Sequence, residues 1–103
     1  MIPKLIIINW EDAITPTDGW TNINDLKSEL ADCISLGIVV EENEKTLTII
    51  SHISGDEKDV DIDGSLVLDK NWIKFRKDLP MPKELTDRIK SWLLKRKTDV
   101  KKS

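Results

Sequence analysis

The chain has no tyrosine and, in 103 residues, one phenylalanine, one histidine and one cysteine. A lone Cys33 excludes an internal disulfide and any thiolate-rich metal site. With His52 the only imidazole, general acids and bases are confined to carboxylates and lysines. The sequence therefore offers no base-and-orienter set for a nucleophile at Cys33 or His52. These absences argue against an enzyme. Long apolar runs are missing too: none approaches the roughly 18 residues of a membrane span. Met1-Ile2-Pro3-Lys4 opens no signal peptide, so the cytoplasm is the expected compartment.

What is present is a composition of 39% hydrophobic and 34% charged residues, that of one small globular domain. The net charge of −3 is unevenly spread. Residues 83–103 carry eight basic side chains against three acidic ones, or +5, which leaves −8 on residues 1–82. On average the body repels nucleic acid, and only the C-terminal end could attract it.

Strand-like patterning dominates the first three quarters of the chain. Lys4 to Trp10 is a short, largely apolar and β-branched run. Ile34, Leu36, Ile38 and Val40 recur at period two, as do Leu47, Ile49 and Ile53 beyond an acidic break at Glu41–Lys45. This spacing predicts a β-hairpin with Ile34, Leu36 and Ile38 turned into the core. Asn22 followed by Ile23, Leu26 and Leu30 suggests a short helix within the excursion 11–31. Residues 54–64 read as a polar loop, with strands at 65–68 and 72–76 beyond it.

Five short strands without room for crossover helices predict a small five-stranded antiparallel β-barrel over residues 1–79. From Lys83 the period changes to 3.6, with Leu85, Ile89, Trp92 and Leu93 on one stripe. That stripe predicts a C-terminal helix over 80–97 docked on the barrel, followed by a flexible tail over 98–103.

Taken together, Trp10-Glu11-Asp12-Ala13, Gly19-Trp20, Cys33-Ile34-Ser35-Leu36-Gly37, Glu41-Glu42, Thr46-Leu47-Thr48-Ile49 and Leu68-Asp69-Lys70-Asn71-Trp72-Ile73 resemble a family of short phage and prophage proteins. Those proteins share a W-x-D-A … C-x-S-x-G … I-P-K-x-x-I pattern. The resemblance spans about residues 4–79. Asp69 stands where that family has proline, and the helix after residue 80 exceeds its usual length. The resemblance implies a phage-encoded accessory protein with an SH3-like or Sm-like barrel. It implies no activity.

Three groups of residues merit a functional reading. Trp10, Asp12 and Trp20 could form a surface for a host or phage protein, since tryptophans are enriched at interaction hot spots. The bland reading is that both indoles cap the open end of the barrel. Lys95, Arg96 and Lys97 suit phosphate contacts, the nucleic-acid alternative, although complementing the helix dipole explains them as well. Asp59-Val60-Asp61-Ile62-Asp63-Gly64 copies the opening of a calcium loop. Its twelfth position is Lys70, however, where a chelating carboxylate belongs. No metal or cofactor is expected. Pairing of exposed strand edges leaves homo-oligomers open.

Overall fold

The computed structural model describes all residues except 1–2, 14–18, 27, 57 and 103, and excludes the side chains of 96–102. The described chain is mainly β. Strand β1 (Lys4–Asp12) is followed by β2 (Ala31–Glu42), β3 (Thr46–Ile50), β4 (His52–Gly55), β5 (Val60–Asp63), β6 (Leu66–Asp69) and β7 (Ile73–Leu79), and the chain ends in helix α1 (Lys83–Lys102). Five strands form one antiparallel sheet in the order β6-β3-β2-β1-β7, while β4 and β5 make a separate two-stranded hairpin.

The buried face of the sheet is chosen by size complementarity. On β1, Ile6, Ile8 and Trp10 point to one side, and the register sets them opposite Gly37, Ser35 and Cys33 of β2. Large side chains on one strand meet small ones on the next. Trp10 Nε1 donates to Ser35 Oγ at 3.0 Å, which satisfies the indole as it is buried. A Cβ built on Gly37 would lie 2.9 Å from the Ile50 carbonyl oxygen, so only glycine allows this approach of β2 to β3. Val39, Leu47, Ile49 and Leu68 complete the cluster, with Cys33, Leu66 and Ile73 packed against it.

This arrangement corrects the expectation for β2. Ile34 and Leu36 are not core residues: they are 72% and 54% exposed, and Phe75 lies open as well. Val40 is buried outside the main cluster, where a bulge between Val39 and Glu41 breaks the register with β3.

Two further expectations change. The apolar run after Lys45 is two strands, because the chain leaves the sheet at Ser51, whose N–H donates to the Asp63 carbonyl. The segment read as a polar loop is therefore the β4–β5 hairpin. Asp56 Oδ1 accepts from the N–H groups of Asp59 and Lys58 at its turn, and these bonds, that from Asp59 foremost, hold the carboxyl below its ordinary range. The helix expected within 22–31 is only a 3₁₀ turn, Ile23–Asp25, capped by the Asn22 side chain.

The expected barrel is not closed by backbone pairing. β6 and β7 are the two edges of the sheet and form no ladder with each other. Side chains tie the sheet together instead. Arg76 of β7 forks onto Glu42 of β2, with Nη1 and Nη2 donating at 2.8 and 3.1 Å. Lys70 adds a 2.7 Å ion pair to the same carboxylate. Hydrogen bonds from Arg76 and then Lys70 lower the Glu42 pKa from 4.5 to about 2. The stabilisation is present in full above the ordinary carboxylate pKa and fades as pH falls through about 2. Glu42→Gln is expected to cost about 1–2 kcal/mol at neutral pH. The difference from wild type should shrink as urea melts are moved from pH 6 towards pH 2; a difference independent of pH would refute the ionic account.

Candidate partner-binding surface

At the end of β1 the strand carries Glu11 and Asp12, both half-buried, before the excursion begins at Ala13. The excursion returns through Leu30 to Ala31. Alongside, Asp69 Oδ1 accepts from Asn71 N–H at 2.8 Å and caps a 3₁₀ turn, Lys70–Trp72. The turn leaves the Trp72 indole about half exposed. Glu11, Ala13, Leu30, Asn71 and Trp72 together line a hollow of about 290 Å³.

Charges fasten the neighbouring strands. Lys74 Nζ lies 3.1 Å from Glu11 and 3.2 Å from Asp32, and Asn9 Nδ2 donates to Asp32 at 2.6 Å. The Asn9 hydrogen bond, followed by Lys74, lowers the Asp32 pKa, while Glu11 and then Asp32 raise that of Lys74. These groups are exposed, and their contribution is local order at the rim.

The residues singled out from sequence separate here. Trp10 is 7% exposed and belongs to the core, so its indole is not part of any outer surface. Trp20 is fully exposed, Ile23 largely so, and Leu26 and Leu30 of the same excursion are more than half exposed. Asp12 sits beside Glu11 at the rim. Lys95 donates to the Asp56 carbonyl and lines a cleft with Arg88, Ser91 and Trp92, whereas the side chains of Arg96 and Lys97 lie outside the described residues. Trp72 was missed because Trp72-Ile73-Lys74-Phe75 reads as continuous alternation. The sequence does mark a turn at Asp69-Lys70-Asn71, and Asp69, placed to cap it, is the signal that it extends to Trp72.

A second cleft, of about 540 Å³, lies between α1, the β4–β5 hairpin and the β2–β3–β6 part of the sheet. Val40, Thr48 and Val67 line it together with Val60, Ile62, Trp92 and Leu93, and Lys58, Asp59 and Lys95 also contribute. Gly55 allows the contact between hairpin and helix, since a Cβ there would sit 3.1 Å from Trp92 Nε1. Cys33 is half-buried against the core and His52 is exposed on β4. Asp61 and Asp63, read from sequence as part of a loop, lie on strand β5. Among the described residues no group of three or more His, Cys, Asp or Glu side chains is placed to hold a metal ion.

The fold and surface thus define a small, mainly antiparallel β protein with one C-terminal helix. No helix among the described residues is long and apolar enough to cross a membrane. Comparison with protein-family models, with curated proteins and with solved structures returned no match.

Proposed function

We propose that this chain is a non-enzymatic protein-binding module, a phage- or prophage-encoded accessory protein that captures and modulates a host or defence protein. The carrying observation is the hollow where Trp72 and Leu30 meet Glu11, beside an excursion that exposes Trp20, Ile23 and Leu26. Large apolar side chains held at the surface next to carboxylates suit a partner segment that carries both apolar and basic residues. The sheet order, with a long excursion between β1 and β2 and a 3₁₀ turn between β6 and β7, supports an SH3-like variant of the small-barrel class. The scattered titratable groups favour binding over turnover. The acidic body and the engagement of Lys95 with Asp56 count against the Sm-like RNA-binding alternative.

Capture from host cytoplasm by immobilised wild type, Trp72→Ala and Trp20→Ala, beside thermal melts, tests the reading. Loss of a hot-spot indole costs about 2 kcal/mol or more, roughly 30-fold in affinity. We expect both variants to lose the captured protein, Trp20→Ala with the wild-type melt and the half-buried Trp72→Ala with a lowered but still cooperative melt. Undiminished capture by both variants would overturn the assigned surface. RNA retained equally by all three would favour the Sm-like alternative.

A further inference from the structure

Strand β2 is longer than the ladder that covers its outer edge. It pairs with β1 from Ala31 to Val39, but with β3 only from Ile38 onward. Over residues 31–37 no described residue pairs with the side facing away from β1. The Cys33 carbonyl faces β1, where Asn9 Nδ2 reaches it at 3.0 Å. Antiparallel alternation therefore turns the backbone N–H and C=O groups of Asp32, Ile34 and Leu36 to the open edge. The same segment carries the uncovered Ile34 and Leu36 side chains. It contains none of the lysines, prolines or bulges that usually protect an edge; its bulge comes later, after Val39.

We infer that the 31–37 edge pairs with the same edge of a second copy, joining two sheets across a two-fold axis at Ile34. The self-complementarity of the segment selects this occupant. Its seven free residues have Ile34 at their centre, so a two-fold register there sets Ala31 against Gly37 of the other copy and uses the whole free length. The outward-facing groups then meet in phase: Ile34 opposes Ile34, and Asp32 opposes Leu36. Moving the axis to Ser35 would push Asp32 against Ile38, whose edge Ile50 already occupies. Residues 33–40 are uncharged, so two acidic molecules bring no like charges together along them. The two Asp32 side chains stand four residues apart along the new ladder, about 13 Å, beyond the Debye length of roughly 8 Å at physiological salt. Each Asp32 is already held by Asn9 and Lys74. The exposed side chains of Ile34 and Leu36 from both copies come together on one face.

Sedimentation equilibrium of the full chain over a concentration series, combined with amide hydrogen exchange, tests this pairing. The expected result is a mass that rises to two chains, with protection of the Ile34 and Leu36 amides increasing in parallel. Ile34→Lys puts two ammonium groups on the axis and should return the mass to one chain and abolish that protection. Leu36→Lys, off the axis, gives an independent variant should the first fail to fold. A wild type that stays at one chain with fast-exchanging Ile34 and Leu36 amides would overturn the inference. So would a dimer that survives the lysine substitutions, or protection that appears only when a different protein is added.

Discussion

Trp10→Ala is expected to destabilise the folded chain by about 3–5 kcal/mol, the range for deleting a large buried aromatic side chain. The indole lies in the main cluster with Ile6, Ile8 and Val39, and its Nε1 hydrogen bond leaves Ser35 Oγ without that partner when removed. Against a total stability of about 5–15 kcal/mol, such a loss moves the urea midpoint far enough to be unmistakable. Trp20→Ala is the matched control. The same residue type, fully exposed, should change stability by no more than about 0.5 kcal/mol. If both variants shifted the urea midpoint equally, the division of the two tryptophans into core and surface would be wrong.

Ile89→Ala should cost about 2–5 kcal/mol, because Ile89 is buried and its truncation leaves a cavity. It is 7% exposed, whereas Leu85, one turn earlier on the predicted stripe, is about half exposed. The docking contacts therefore begin near Ile89 and continue through Trp92, which meets Gly55, and Lys95, which meets Asp56. Leu85→Ala should cost only about 1 kcal/mol, since about half of that side chain is already in solvent and alanine is a slightly better helix former. An unchanged urea midpoint for Ile89→Ala would mean that α1 does not dock in the free chain. The helix would then be an element that awaits a partner.

Much of the architecture was legible as periodicity. Continuous apolar runs marked β1 and β6, period-two alternation marked β3, and the 3.6 spacing of Leu85, Ile89, Trp92 and Leu93 marked α1, because these patterns are local consequences of backbone geometry. Local geometry could not say which face of β2 would be buried, since both faces bear residues a core accepts. Packing decided it: Ile6 and Trp10 needed the small residues Gly37, Ser35 and Cys33 opposite them, which turned Ile34 and Leu36 outward. Trp10 and Trp20 are likewise indistinguishable by type, and only their neighbours make one a core anchor and the other a surface side chain. The sequence by itself determined a mainly β domain with a C-terminal helix, through strand and helix periods set within each segment. The tertiary structure alone decided where the ladders stop, because pairing and burial depend on contacts between residues distant along the chain. Among the described residues, that left β6 and β7 as the edges of the sheet and the first half of β2 without a pairing strand on its outer side.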